Sequence, residues 1–206
     1  PQDYAIDVYA DGEWKRVAEQ HKVQYTVSEY FFNFAPVSCT KIRITALNAR
    51  NATDNFRLEE LEAYNNPTVT EAYYTPLMEA EEESYRIPAI SESGESGTEE
   101  PETPKDPIAL GLTNVALNKP VTTSQADDFY VQRFPASRLT DGESNDALEG
   151  AIINYLETGL AWYEIDLQGA QTINQIKLIF QNAEWEKRPQ DYAIDVYADG
   201  EWKRVA

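Results

Sequence analysis

The sequence predicts an all-β domain whose two halves are joined in reversed order by a linker. Short segments alternate apolar and polar residues with a period of two, as strands with one buried face do. No segment longer than a few residues shows the 3.6-residue period of an amphipathic helix. Residues 1–18 and 189–206 have the same sequence, PQDYAIDVYADGEWKRVA, so the chain of 206 residues spans one period of 188 residues and 18 residues more.

The strand pattern is clearest in the segment 161–168, which places Ile165 and Leu167 on one face and Glu164 and Asp166 on the other. The same alternation is found in three further segments, namely 39–46, 175–181 and 191–205. The last of these predicts a hairpin, because an Asp-Gly pair stands between its two strands. These segments together predict antiparallel sheets.

Residues 67–113 predict a solvated linker. This stretch of 47 residues holds 11 acidic residues, 2 basic residues and six of the eleven prolines, so it carries −9 of the net charge of −19. Its most acidic part, SESGESGTEEPETPKDP, offers no apolar side chain besides proline to bury against a core. Like charges along such a segment repel each other and keep it extended.

The two flanking pieces are incomplete by themselves. Residues 1–66 begin in the repeated hairpin, and residues 114–206 stop in it. Continuing 114–206 with 19–66 gives 141 residues, an ordinary length for one domain. The sequence therefore predicts a C-terminal half-domain at 1–66, a linker at 67–113 and an N-terminal half-domain at 114–206, in which 189–206 duplicates 1–18.

Composition excludes several classes of function. A net charge of −19 disfavours nucleic acid and anionic membranes as partners, and no apolar run approaches the length of a membrane-spanning helix, so no membrane insertion is expected. Cys39 is the single cysteine, which rules out an internal disulfide. The sequence lacks a nucleophile elbow, a P-loop and an HExxH motif, and it predicts no enzyme. An acidic chain with little cysteine favours a secreted or cell-surface bacterial protein.

In the joined order, five segments resemble the discoidin domains, also called coagulation-factor type C domains. They are 114–125, 134–146, 161–178, 188–205 and 58–64. Within that family the sequence looks most like the bacterial family 32 carbohydrate-binding modules. The resemblance implies an eight-stranded antiparallel jelly-roll β-sandwich of the galactose-binding type, split here by the linker. The hairpin motif DGEW is one residue shorter than the family pattern, which leaves the local register open.

The resemblance also implies a structural calcium ion, with side-chain ligands at Asp141 and Glu60. It assigns backbone carbonyl ligands to Arg138, Glu143 and Glu59. Calcium prefers six to eight oxygen ligands from carboxylates and carbonyls, which a tight acidic loop provides. The apolar alternation slips near Glu59, so a bulge there would direct a carboxylate toward the loop. The alternative is that Asp141 only forms a turn and Glu60 occupies a solvated strand position.

Sugar binding by such domains requires an aromatic ring for the C–H face of a pyranose and planar hydrogen-bonding groups for its hydroxyls. Loops at one end of a sandwich supply both, and the candidate loops here are 48–57, 124–133 and 182–190. The predicted ligand-binding residues are Phe56, Trp185, Arg188, Arg50, Asn55 and Tyr130. Family position favours Phe56. For Trp185 the alternative is an aromatic cap on the sandwich, and for Tyr130 and its neighbour Phe129 packing is the more common role.

These observations predict a non-catalytic, extracellular carbohydrate-binding module from a tandem-repeat surface or secreted protein, of the kind used in bacterial adhesion. Its expected partner is a galactose-type glycan. The alternative is a structural repeat of an extracellular fibre or stalk, in which the half-domain of one chain or repeat completes that of its neighbour. Closure within one chain is open as well, since 47 linker residues reach up to about 150 Å.

Overall fold

The computed structural model describes residues 4–20, 29–48, 55–75, 103–144, 150–154, 161–180, 191–193, 195–198 and 201–204. The strands in these ranges are β1 (Tyr4–Ala10), β2 (Glu13–Gln20), β3 (Glu29–Asn48), β4 (Asn55–Leu58), β5 (Glu60–Tyr64), β6 (Val121–Thr123), β7 (Ala151–Asn154), β8 (Ala161–Ile179), β9 (Asp191–Ala193), β10 (Asp195–Ala198) and β11 (Glu201–Arg204). The helical elements are α1 (Phe129–Arg133) and two 3-10 helices, Glu71–Tyr73 and Ala136–Thr140.

The described part of the chain is dominated by strands, which pair antiparallel throughout. The predicted all-β sandwich class is confirmed, whereas the eight-strand count of the jelly roll stays a prediction. Within the ranges described, no helix is long and apolar enough to cross a membrane.

β8 is the central strand, and it replaces the two separate strands predicted at 161–168 and 175–181. Ile165 of β8 pairs with Ile42 of β3 on one side and with Val121 of β6 on the other. Further along β8, β5 takes the place of β6, and β1 and β2 extend the sheet beyond β3. β3 and β5 come from the part of the chain before the predicted linker and β8 from the part after it, so strands from both sides of the linker form one sheet.

β3 and β8 bend together and thereby form both layers of the sandwich. Ile179 of β8 pairs with Glu29, at the start of β3. Asp191, twelve residue steps later, pairs with Asn48, at the end of β3. Twelve steps reach at most about 42 Å, whereas a straight strand of this length would measure about 60 Å. The two ends of β3 therefore approach each other.

The bend has a cause in the sequence of both strands. On β3 the pairing is interrupted between Asn33 and Val37, around Pro36, which has no N–H for the ladder. The pairing is interrupted a second time between Cys39 and Lys41. There the β8 stretch between Asp166 and Gln171 contains Gln168 and Gly169, whose φ angles are 59° and 145°. A positive φ is favoured by glycine and tolerated by few other residues.

The core lies between the two layers. Tyr163, Ile165 and Leu167, which the sequence placed on one face, are all fully buried. One buried cluster contains residues from both sides of the bend in β3, for example Phe32 before it and Ile42 after it. Cys39 of β3 is also buried, and burial raises the pKa of its thiol to about 12. The thiol therefore stays protonated at neutral pH, as expected of a structural cysteine.

The repeated hairpin contains the predicted turn. In the first copy, Asp11 and Gly12 have φ angles of 58° and 82°, which is the type I′ conformation that suits a two-residue hairpin loop. β1 and β2 lie beside β3, where Ile6 and Val8 are fully buried. The second copy forms β9, β10 and β11.

Buried amides hold the chain where it leaves the sandwich. The backbone N–H of Asn66 donates to Oδ1 of Asn174 at 2.7 Å, and Nδ2 of Asn174 donates to the Asn66 carbonyl at 2.9 Å. Nδ2 of Asn66 donates to Oε1 of Gln175 at 3.0 Å and to the carbonyl of Lys105 at 2.8 Å. Asn66, Asn174 and Gln175 are all buried. This amide cluster ties both half-domains to the returning chain.

Both flanks of the predicted linker are attached to the domain. Thr75 and Asn33 exchange hydrogen bonds of 2.7 and 3.1 Å, and the N–H of Lys105 donates to Oγ1 of Thr68 at 2.9 Å. Residues 67–75 and 103–113 are therefore folded against the sandwich. The central acidic part of the predicted linker, 76–102, lies outside the described residues.

We expect Asn66→Ala to lower the free energy of unfolding by about 2–4 kcal/mol, because it leaves buried amide and carbonyl groups without their partners. Urea unfolding at neutral pH measures this loss. Asn65→Ala is the matched control, since Asn65 is the neighbouring asparagine and is exposed. Equal stabilities of the two variants would contradict the role assigned to the amide cluster.

Candidate functional site

The predicted calcium loop forms a tight turn after the 3-10 helix Ala136–Thr140. Asp141 follows this helix, and its Oδ1 atom accepts a hydrogen bond from the N–H of Glu143 at 2.9 Å. Gly142 has a φ of 81°, and a Cβ atom there would lie 2.8 Å from Cδ1 of Leu117. The turn therefore favours glycine for its conformation, and a larger residue would also displace the tip of the exposed Leu117 side chain.

Glu60 meets this turn from the other half of the chain. β4 pairs with β7 up to Leu58, β5 pairs with β8 from Glu60 onward, and Glu59 lies at the break between the two strands. The break confirms the expected change of alternation near Glu59. The N–H of Gly142 lies 3.3 and 3.2 Å from the two carboxylate oxygens of Glu60. The structure thus brings Glu60 beside the residue that follows Asp141.

The Glu60 carboxyl group has an unusual electrostatic environment. Glu60 is buried, with only 1% of its surface exposed. The pKa of Glu60 is raised to about 8, chiefly by burial and also by the negative charges of Asp141 and Glu62. The Gly142 N–H and Lys177 act in the opposite direction. At neutral pH this carboxyl group is stabilised either by a proton or by a nearby cation.

The other predicted metal ligands lie around the same turn and strand break. Glu59 is buried, and its N–H donates to the carbonyl of Ile179 at 2.8 Å. Arg138 lies in the 3-10 helix, and its guanidinium is 5.8 Å from the centre of the Phe134 ring. Glu143 is exposed. Among the described residues no three side chains of His, Cys, Asp or Glu are grouped as a metal site, and the calcium site stays a prediction.

Described strand residues flank the candidate binding loops. Asn48, from which the segment 49–54 continues, pairs with Asp191, at which the segment 181–190 ends. Near the same end of β8, Ser124 and Trp162 exchange hydrogen bonds of 3.1 and 3.2 Å. Ser124 begins the third candidate loop. The loop residues 49–54 and 181–190 lie outside the described residues, and a shared end for the three loops stays a prediction.

α1 projects from the third loop. Oδ1 of Asp128 accepts from the N–H of Tyr130 at 2.8 Å and thereby caps the start of the helix. Val131 is buried, whereas Phe129, about 200° away around the helix, is 65% exposed. Tyr130 is half-buried, and its ring lies 5.6 Å from that of Phe129 in an edge-to-face arrangement.

The exposure of Phe129 differs from the packing role expected for it. The short motif DDFYVQR contains the pattern from which the exposure of Phe129 could have been predicted. Asp128 is a favourable N-cap, and a helix that begins there and buries Val131 must turn Phe129 outward. The C-terminal end of α1 is held to β7, because the N–H of Ile152 donates to the carbonyl of Phe134 at 3.3 Å.

The remaining predicted ligand residues fall into two groups. Asn55 and Phe56 belong to β4 and pair with Asn154 and Ile153 of β7, the strand that contains Ile152. They are thus placed near the third loop by the backbone. The other three lie outside the described residues: Arg50, Trp185 and Arg188.

Residues 138–206 match the model of an F5/F8 type C family described as the NedA-like, galactose-binding domain. This matched third of the chain is similar to a discoidin, galactose-binding-like domain, a type that binds ligands and is generally non-catalytic. No curated protein and no solved structure matches the chain.

The raised pKa of Glu60 predicts that stability falls as the pH rises. In the folded chain the carboxyl group holds its proton up to a pH of about 8, whereas the unfolded chain releases it near 4.5. Between these values the folded state binds more protons, so its stability falls by at most about 1.4 kcal/mol per pH unit. Urea unfolding of the wild type in chelator between pH 4.5 and 8 should show this loss.

Glu60→Gln removes the titrating group and keeps an acceptor for the Gly142 N–H, so its stability should exceed that of the wild type increasingly as the pH rises. Glu143→Gln, at an exposed position of the same turn, serves as the control. A stability difference between Glu60→Gln and wild type that does not change with pH would refute the assignment.

Proposed function

We propose that this chain is a non-catalytic carbohydrate-binding module that holds a glycan in the loops at one end of its sandwich. The family match supports the general class, because galactose-binding-like domains of this type bind carbohydrates. The exposed ring of Phe129 is the observation that carries the proposal further. A large aromatic side chain that is mostly exposed on a binding loop offers a flat apolar surface.

Polar groups flank that ring. Asp127, Gln132 and Arg133 belong to the same loop and are all exposed. Carboxylate, amide and guanidinium groups hydrogen-bond sugar hydroxyls, while the Phe129 ring covers the apolar C–H face of a pyranose. Such a surface is shallow, and we expect a Kd of roughly 0.1–1 mM, or about −4 to −5.5 kcal/mol.

The neighbouring loops complete this proposed site. β4 places Asn55 and Phe56 beside β7, and β7 in turn is tied to the end of the α1 segment. Trp185, Arg188 and Arg50 are proposed to contribute from the other two loops. Because galactose-type sugars expose a contiguous apolar C–H face, they are the proposed ligand class.

Calcium is proposed to occupy the turn at Asp141 and Glu60. The donor chemistry fits this ion, since a hard cation is bound by carboxylate and carbonyl oxygens. The buried Glu60 carboxyl group beside Asp141 supports the proposal, because a cation would balance charge that burial otherwise disfavours. Asp141 and Glu60 would hold the ion through side chains, and Arg138, Glu143 and Glu59 through their carbonyls.

The proposed location is extracellular, on a secreted or cell-surface protein. Extracellular modules use calcium sites with dissociation constants of about 0.1–1 mM, which are filled only where calcium is abundant. Weak sugar binding is also useful there, because repeated modules combine their affinities when their spacing lets them bind together. The exact sequence repeat at the two ends of the chain supports such a tandem arrangement.

Binding to a glycan array should detect galactose-type ligands. Phe129→Ala should weaken that binding about fivefold or more, if a sugar gains from the exposed ring at least the lower limit of about 1–3 kcal/mol that a stacked nucleic-acid base gains. Isothermal titration with the best glycan of the array measures the change. The stability of this variant should remain close to that of the wild type because the side chain is exposed.

Phe31→Ala is the matched control, since Phe31 is a partly exposed phenylalanine of β3 that stacks near Lys177. Its glycan affinity should be unchanged. If the wild type binds no glycan on the array, the carbohydrate-binding proposal is wrong. If the wild type binds and Phe129→Ala binds equally well, the ligand lies elsewhere.

Calcium should raise the melting temperature of the wild type by about 5–10 °C at a hundredfold excess over its Kd. The rise should be lost on addition of a chelator, and both Glu60→Gln and Asp141→Asn should abolish it. Glu143→Gln should retain the rise, because its proposed ligand is the backbone carbonyl. A melting temperature that is independent of calcium in the wild type would rule out this ion.

A further inference from the structure

The two copies of the hairpin have the same pairing geometry. In the first copy Asp7 pairs with Arg16 and Tyr9 with Trp14. The corresponding pairs of the second copy are Asp195 with Arg204 and Tyr197 with Trp202. Each residue of the second copy follows its equivalent by 188 positions. Both segments therefore form one hairpin with one register.

Both copies also pair with the same residues of β3. Tyr4 of β1 pairs with Ala46, and Ala5 with Thr45. In the second copy, Tyr192 pairs with Ala46, and Ala193 pairs with Thr45. The register on β3 is thus identical as well. Because β1 already pairs with one edge of β3 at these residues, the second copy pairs from the opposite edge, with the same register.

The position of β1 beside β3 accommodates one hairpin at full length. Around Ile44, β3 has β1 on one side and Tyr163 of β8 on the other, so no third strand can pair there. β1 pairs with β3 from Tyr4 to Tyr9. Among its described residues, the second copy pairs with β3 only at the end of the strand, from Asp191 to Ala193.

Each copy of the hairpin is covalently joined to a strand of the sheet. The first hairpin is joined directly to β3 through residues 21–28. The second hairpin follows β8, and the family match runs through it without a break to residue 206. The second copy therefore has the order of elements that the family model describes, while the structure has the first copy in the sheet.

We propose that the β3 edge is a docking surface for either hairpin, and that residues 189–206 exchange with residues 1–18 within one chain. The contacts at this surface depend on side chains that both copies possess. Val8 and Ile6 are fully buried there, and Asp7 forms a buried ion pair with Arg16 at 3.4 Å. The two closures are the state with residues 1–18 docked on β3 and the state with residues 189–206 docked there. Since the two sequences are identical, these states differ in connectivity alone and have similar free energies.

The exchange requires β1 to leave the sheet. Its departure breaks the pairing with β3 and exposes the buried side chains of the hairpin, so the two closures interconvert by local unfolding. The position is then filled again by either copy, because both remain covalently attached at a high effective concentration. The inference is independent of the proposed glycan binding.

Matched substitutions in the full-length chain test the exchange. Val8→Asp and Val196→Asp place the same charge at the same position of each copy. Each single variant should stay folded, with a melting temperature within about 1–2 °C of the wild type, because removing one of two equal closures halves the folded population. The double variant should melt about 10 °C or more lower, since every closure then buries an unpaired carboxylate.

Fluorine NMR of the 5-fluorotryptophan-labelled full chain follows the occupant directly. In Val8→Asp the signal of Trp202 should move to the chemical shift that Trp14 has in Val196→Asp, because both would then lie in one environment. Trp14→Phe and Trp202→Phe assign the two signals. All chains should remain monomeric in light scattering.

Three outcomes would overturn the proposal. The first is a Val8→Asp or Val196→Asp variant that loses more than half as much stability as the double variant, since one copy would then be the sole occupant. The second is a Trp202 signal that Val8→Asp leaves unchanged. The third is assembly of Val8→Asp with rising concentration, which would show that the second hairpin docks on another copy of the chain.

Discussion

The pairing of β3 with β8 is the contact on which the rest of this structure depends. β3 belongs to the first half of the chain and β8 to the second, and neither has a complete set of neighbours within its own half. When the two strands pair and bend together, they form both layers of the sandwich and enclose one buried cluster. A half-domain alone would leave an open sheet edge and an uncovered core face.

The same pairing places the candidate site. Glu60 stands at the start of β5, opposite Ile179 of β8, whereas Asp141 and Gly142 come from the segment before β7. The turn at Asp141 and the Glu60 carboxylate meet because β8 pairs with β3 and β5, which come from the first part of the chain. A calcium ion at this turn would therefore link the two half-domains, and its binding energy would add to the stability of the closed domain.

The two copies of the hairpin have identical sequences and suit the same position on the sheet. A strand position on a sheet is defined by register, by buried side chains and by connectivity. Two segments with the same residues satisfy the first two criteria equally well. Connectivity is then the only property that separates them, and each copy has a short covalent path to the sheet, one from β3 and one from β8.

Much of the fold could be predicted because it depends on local alternation. The buried faces of β8 and β3, the hairpin turn at Asp11 and Gly12 and the strand break at Glu59 each follow from a few neighbouring residues. The proximity of Glu60 to the acidic turn was expected from the family resemblance, and the structure agrees. The exposure of Phe129 was missed because packing was assigned by residue type, although the N-cap at Asp128 sets the direction of the helix.

The sequence alone determined the strand pattern, the acidity of the segment after residue 66 and the duplication of the hairpin, because these are properties of residue types and their spacing. Tertiary structure decided how 161–168 and 175–181 join into one strand, why Asn66 is buried in an amide cluster and how far the flanks of the linker are folded. The joined strand and the amide cluster depend on contacts between residues more than 100 positions apart. The linker flanks depend on contacts 42 and 37 positions apart, and no local pattern records either kind. It also decided that one hairpin fills the edge of β3, since a sheet edge accepts a single strand at each register.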